Sequence, residues 1–186
     1  MPQTKPIVSI ENVVASATIN QDLDLTDIQK KFPKVEYNPE QFPGAVFRLT
    51  KPRTATLLFR TGKMVCTGSK SEEIAKNAVK TVVANLRAGG IKIKNEAQVT
   101  IQNIVASISL GGRIHLENAA RTLPRSMYEP EQFPGLIYRM IDPKVVILIF
   151  SSGKLVCTGG KTAQDVYRAV NSLHVTLEEK DLMKYD

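Results

Sequence analysis

The chain has 186 residues, 42% of them hydrophobic and 23% charged, a balance that excludes a disordered or low-complexity protein. Lysine and arginine total 25 against 18 aspartates and glutamates, so the formal charge is +7 and an anionic partner suits the surface. No apolar run is long enough to span a bilayer, and the start, Met1-Pro-Gln-Thr-Lys5, has no h-region, so neither a membrane partner nor export is expected.

In chain order, residues 7–17 alternate Val and Ile with small polar residues and predict a strand. A short helix follows, with Leu25, Ile28 and Phe32 on one face. A Pro-rich turn leads to three apolar strands near 45–50, 54–59 and 63–67, joined at Pro52 and Gly62 as hairpins require. A longer helix repeats Ile74, Ala78, Val82 and Leu86 every fourth residue, with Ala75, Val79 and Val83 widening the stripe. Ser69 and Glu72 have capping-box spacing at its start, and Gly89-Gly90 ends it.

The same order then recurs. A strand is predicted over 98–109, and a short helix carries Leu116, Ala120 and Leu123. Three strands lie at 136–141, 145–150 and 154–158, with Pro143 and Gly153 between them. The last helix presents Val166, Ala169, Val170, Leu173 and Leu177. Sequential hairpins with helices between them predict an α+β fold, a mainly antiparallel sheet with its helices on one side.

The recurrence is exact in spacing. Ile10-Glu-Asn-Val-Val-Ala-Ser16 aligns with Ile101-Gln-Asn-Ile-Val-Ala-Ser107, and Pro39-Glu-Gln-Phe-Pro-Gly44 with Pro130-Glu-Gln-Phe-Pro-Gly135. Phe59-x-x-Gly-Lys-x-Val-Cys-Thr-Gly68 aligns with Phe150-x-x-Gly-Lys-x-Val-Cys-Thr-Gly159 at the same offset of 91, without a gap. The chain is therefore two repeats, 1–95 and 96–186. Such a duplication suits a partner that is itself nearly two-fold symmetric, and duplex DNA is the commonest one.

Strand parity separates two faces. Val13, Ala15 and Ala17 share one, with Asn12, Val14 and Ser16 opposite; Met64 and Cys66 alternate likewise with Val65 and Thr67. Residues 145–150 are apolar on both faces. Two helices per repeat cover only one face, so the other needs an occupant: a ligand, a second copy of the chain in a homodimer, or a second sheet in a sandwich. Cys66 and Cys157 stand at equivalent strand positions and read as small buried apolar residues, one per repeat.

An enzyme is not supported. The two histidines, His115 and His174, have no paired carboxylate or cysteine motif nearby, and no metal or other cofactor is expected. Gly160-Lys161-Thr162 lacks the upstream glycine of a P-loop, where Leu155 stands. An RNA-stacking sheet would carry its aromatics in mid-strand, whereas Phe42 and Phe133 lie in turns.

The blocks Gln-Asn-Ile-Val-Ala-Ser, Glu-Gln-Phe-Pro-Gly and Ser-Gly-Lys-x-Val-Cys-Thr-Gly, and their copies, closely resemble the core of the TATA-box-binding protein family, over residues 7–180. The resemblance implies a pseudo-two-fold saddle: a curved ten-stranded antiparallel sheet with four helices on its convex face. It implies a general transcription initiation factor that binds the minor groove of double-stranded TATA-box promoter DNA. Phe42, Phe59, Phe133 and Phe150 match the family's intercalating residues, which kink the duplex. Asn12 and Asn103 match its central base-contacting pair, and Val14, Val105, Val65, Val156, Thr67, Thr158, Leu57 and Leu148 its groove-floor contacts. Arg48, Arg139, Lys63, Lys154, Lys70 and Lys161 fall at its phosphate-contacting positions.

The turn Tyr128-Glu-Pro-Glu-Gln132 resembles the family's second stirrup, where Glu129, Glu131 and Gln132 would meet a B-type initiation factor and, through it, RNA polymerase. The apolar face could instead join two copies in a homodimer. No long N-terminal extension precedes the first repeat, and both repeats keep Gln-Phe-Pro-Gly, so the chain looks archaeal. That implies a cytoplasmic, nucleoid-associated protein, or a nuclear one in a eukaryote.

Overall fold

The computed structural model describes residues 4–185. Its first elements are β1 (Ile7–Thr18), α1 (Leu25–Lys31), β2 (Glu36–Tyr37), β3 (Ala45–Thr50), β4 (Arg53–Leu58), β5 (Lys63–Ser69) and α2 (Glu72–Ala88). They recur as β6 (Gln98–Ser109), β7 (Arg113–Ile114), α3 (Leu116–Thr122), β8 (Ser126–Met127), β9 (Leu136–Met140), β10 (Val145–Ile149), β11 (Lys154–Gly160) and α4 (Ala163–Glu179). A last strand, β12 (Met183–Lys184), pairs with β7. Among the described residues the main sheet has ten strands in the order β2-β3-β4-β5-β1-β6-β11-β10-β9-β8, and there are four helices.

Packing divides the chain into two compact units. One is Asn12–Gln102; the other begins at Asn103 and includes the start of β1 up to Glu11. This division differs from the 95/96 boundary expected from the duplication because it follows which stretches lie close together in space, not position along the repeat.

In the first unit, β2-β3-β4-β5-β1 are antiparallel neighbours, and α2 packs on β3, β4 and β5. Ala15, Leu58, Met64 and Cys66 are fully buried with Ala75, Ala78, Val79, Val82 and Leu86 of the helix. In the second unit, β6-β11-β10-β9-β8 repeat the scheme, and α4 packs on β11. Ala106, Leu136, Ile147, Ile149 and Cys157 are buried with Val166, Ala169, Val170 and Leu177. Each fully buried aliphatic side chain contributes roughly 1.5–3 kcal/mol by leaving water, so these helix-covered faces hold each unit together. Both cysteines are free and buried; burial raises both thiol pKa values, that of Cys157 to about 11, so they behave as apolar filler.

Four details depart from the sequence reading. The N-cap of α2 is Ser71, whose hydroxyl accepts from Ile74 N–H; Ser69 still belongs to β5, and its hydroxyl donates to the Val13 carbonyl at 2.9 Å. Ile74 is exposed, because a stripe starting from Ser71 turns Ala75, not Ile74, toward the sheet. In α3 the buried residue is Ala119 and not Ala120, which restores the spacing of Leu25 and Ile28 in α1. The two-residue strands β2 and β8 lie inside stretches read as turns, since two residues cannot display a period.

His174 is buried on α4, with Nε2 3.6 Å from Glu178 Oε1, too far for a hydrogen bond, and Tyr185 donates its hydroxyl to that carboxylate. Burial lowers the imidazole pKa, outweighing the opposing pull of Glu178. The folded protein therefore keeps a neutral His174 at pH values where the unfolded chain already binds a proton. Stability should fall as pH drops through about 6.5 and below, and His174→Leu should flatten that part of a Tm-versus-pH profile.

Candidate nucleic-acid interface

The face opposite the helices is assembled by register. In the first unit Val46 pairs with Leu57, Leu57 with Val65 and Val65 with Ser16, one residue from each of four adjacent strands. Arg48, Ala55 and Thr67 form the next row. In the second unit the rows are Ile137, Leu148, Val156 and Ser107, then Arg139, Val146 and Thr158. Cross-strand partners point to the same side, and each row except its arginine is half-buried, while its strand neighbours are buried apart from Leu49, Tyr138 and the bulge glycines Gly68 and Gly159. Period-two alternation thus delivers one face to the core and leaves an apolar face uncovered.

Each repeat adds a pair of aromatic rings at one end. Phe42 and Phe59 stand edge to face with centroids 5.9 Å apart and planes at 65°, and Phe133 and Phe150 have the same geometry. Phe42 and Phe133 remain 41% and 36% exposed, unusual for rings already in contact. The contact needs Gly44 and Gly135: a Cβ there would lie 2.8 Å from the Phe42 or Phe133 ring and 3.0 Å from Phe59 or Phe150. Phe59 and Phe150 are held by hairpin bonds, their N–H groups donating to Lys63 and Lys154 carbonyls at 3.0 Å.

Asn12 and Asn103 sit at β-bulges. The β1–β5 register shifts between Val13 and Ala15, and the β6–β11 register between Cys157 and Gly160. Gly68 and Gly159 take φ of +97° and +99° there, a conformation that favours glycine. Their backbone N–H groups donate to Asn12 Oδ1 at 2.8 Å and Asn103 Oδ1 at 2.6 Å. A backbone N–H can only donate, so it fixes the amide orientation with oxygen toward the bulge. The amide nitrogens donate to Thr67 Oγ1 at 3.1 Å and Thr158 Oγ1 at 3.2 Å, leaving a second N–H on each. Val14 and Val105 follow two residues on, on the same face.

Cations border the face. Lys63 and Lys154 open β5 and β11 and are exposed, as are Lys70 and Lys161 just past those strands. Arg48 lies 3.8 Å from Glu36, with both side chains more than half exposed, so the pair is weak. Glu36 has Met127 as its repeat counterpart, and among the described residues Arg139 has no ion pair. In the second Pro-rich turn, Gln132 and Phe133 N–H groups both donate to the Glu129 carbonyl at 3.0 Å, which leaves Glu129, Glu131 and Gln132 side chains outward and exposed.

The open face also holds residues the sequence reading did not select: Val46, Ile137, Ala55, Val146 and Ser107. The available signal was hairpin parity, since Val46 and Ile137 pair directly with Leu57 and Leu148.

Comparison with known proteins bears on this arrangement. The family model described as transcription factor TFIID (or TATA-binding protein, TBP) matches residues 7–88 and 98–180. A TATA-box-binding protein of Pyrobaculum calidifontis is 53% identical over 179 residues, covering 96% of this chain and 90% of the relative. That of Methanothermobacter thermautotrophicus is 49% identical, covering 95% of this chain and 97% of the relative. The solved structure of Methanococcus jannaschii TBP superposes with a TM-score of 0.84 at 45% identity, covering 92% of this chain and 98% of that one.

The bulge bond makes a separate statement about stability. Asn103→Ala should cost about 0.5–1.5 kcal/mol in chemical denaturation, because it removes the acceptor of the Gly159 N–H, whereas Asn103→Asp keeps an acceptor and should cost less.

Proposed function

Because the chain belongs to the TATA-binding protein family, we propose that it is a general transcription initiation factor, not an enzyme, that binds and kinks A·T-rich promoter DNA through the minor groove. The observation that carries this reading is the open face itself. Each repeat combines an apolar strip, a phenylalanine pair with one exposed ring at one end, an oriented asparagine donor and bordering cations.

The chemistry of the groove suits these groups. An A·T pair shows only adenine N3 and thymine O2 there, both acceptors, and the remaining amide N–H of Asn12 and Asn103 is a donor. A guanine 2-amino group would bring a donor against Val14, Val65, Val105 and Val156, which offer no acceptor. Leu57, Leu148, Thr67 and Thr158 complete the floor. Lysines and arginines at the border neutralise phosphates without reading sequence, so binding weakens with salt.

Kinking requires the phenylalanine rings to enter base steps. Full burial of a Phe is worth roughly 1.5–3 kcal/mol. Phe42 and Phe133, already more than half covered, gain only part of it. Bending a short site costs of order 1–6 kcal/mol, so the wedges act together with the apolar strips and not alone.

This readout separates A·T from G·C but barely A·T from T·A, so direction must come from elsewhere. A B-type initiation factor docking on Glu129, Glu131 and Gln132 supplies it and brings RNA polymerase. Asn38 occupies the repeat counterpart of Glu129, which makes the second turn the more acidic one. A second copy of the chain would compete with DNA for the same apolar face.

A duplex labelled at both ends tests the central claim by fluorescence transfer. Wild type should bend an A·T box and not a G·C-substituted one, and Phe133→Ala with Phe150→Ala should abolish bending. Binding without bending, or equal response to both boxes, would refute the wedge mechanism. Exchange of Glu129 and Glu131 for Lys should impair capture of a B-type factor in a gel-shift assay while DNA affinity holds; an undiminished ternary complex would rule out that docking site.

A further inference from the structure

We infer that Arg113 and Lys184 form an additional phosphate clamp, without a counterpart in the first repeat, that grips the DNA backbone beyond the Phe133–Phe150 wedge. The inference rests on the DNA-binding reading above and extends it to the C-terminal end of the chain.

Arg113 and Lys184 are direct register partners across β7 and β12. The neighbouring pair, Ile114 and Met183, is buried, so alternation turns both cations to the outer side of this small sheet, where both are exposed. Directly opposed like charges on neighbouring strands destabilise a sheet. Among the described residues neither cation has a carboxylate within 4 Å, so none of these residues neutralises the opposed charges. A phosphate held between them would do so.

The clamp is continuous with the proposed interface. One depression is lined by Arg113, Lys184 and Ser152 together, and Ser152 lies in the hairpin turn between Phe150 and Lys154. The chain from Leu110 to Ile114 wraps that turn: Leu110 N–H donates to the Gly153 carbonyl and Ile114 N–H to the Ser151 carbonyl, each at 3.0 Å. Gly112 is wedged in place, since a Cβ on Gly153 would lie 1.7 Å from the Gly112 oxygen, and a Cβ on Gly112 would lie 2.6 Å from the Tyr185 ring. Tyr185 is itself tied to Glu178 on α4. The strap therefore presents both cations on a rigid base beside the wedge.

The first repeat has no such pair. At the offset of 91, Asp22 and Ile93 stand where Arg113 and Lys184 stand in the second. This opposed cation pair is therefore present in the second repeat alone, and it breaks the near-symmetry of the two repeats.

The test compares wild type with Arg113→Gln/Lys184→Gln on an A·T box carrying long flanks and on the same box cut flush at both ends. Affinity is measured as a function of salt, alongside the thermal stability of the free proteins. With long flanks the variant should show a log–log salt slope shallower by about 0.9 for each phosphate it no longer neutralises. On the flush box the two proteins should bind alike, and the variant's Tm should match or exceed wild type. A slope unchanged on flanked DNA, with wild type still selecting the A·T box, overturns the clamp alone. A difference that persists on flush DNA overturns the flank assignment. Failure of wild type to select the A·T box at all overturns the reading on which the clamp rests.

Discussion

Each unit carries five strands of the main sheet and two helices, and the helices reach only one side of those strands. In a strand the alternate residues have no choice of face once their neighbours are buried. Ala15, Met64 and Cys66 are drawn under α2, and Val14, Val65 and Thr67 are thereby committed to the other side. The same constraint sends Val156 and Thr158 outward when Leu155 and Cys157 pack under α4. The candidate interface is a consequence of the core, and a register slip of one residue would dismantle both together.

The bulges connect this constraint to recognition. Two strand pairings shift register at Gly68 and Gly159, and the asparagine that accepts the freed N–H keeps one amide N–H beyond the one it donates to Thr67 or Thr158. One side chain therefore closes an irregularity in the sheet and, in the proposed function, would offer its remaining N–H to the ligand. A flexible surface amide would lose rotamer entropy on binding, and this one is ordered beforehand.

Duplication gave the two halves matching equipment, and the differences between them lie at the margins. The open faces differ chiefly by Val46 against Ile137 and Ala55 against Val146. Charge differs more: Glu36 against Met127, Asn38 against Glu129 and Asp22 against Arg113. The protein is nearly symmetric where it would read base edges and asymmetric where it would meet backbone or protein partners.

Much of this was legible in the chain alone. Repeats at a constant offset, alternating strands and four-residue helical spacing determined the element order, the buried cysteines and the face carrying Asn12, Val14 and Val65, because those features are local and periodic. The family resemblance rested on the same blocks. What only the tertiary structure decided were features made by partners distant in sequence or by elements too short to show a period. Ser71 rather than Ser69 caps α2 because Ser69 is still bound to Val13 across the sheet. The Phe pairs form because Gly44 and Gly135 leave room for rings seventeen residues apart in the chain. The Arg113–Lys184 pair depends on a two-residue strand returning from the far end of the chain. Spacing along a chain reports which residues can share an element; only the folded backbone brings separate elements into contact.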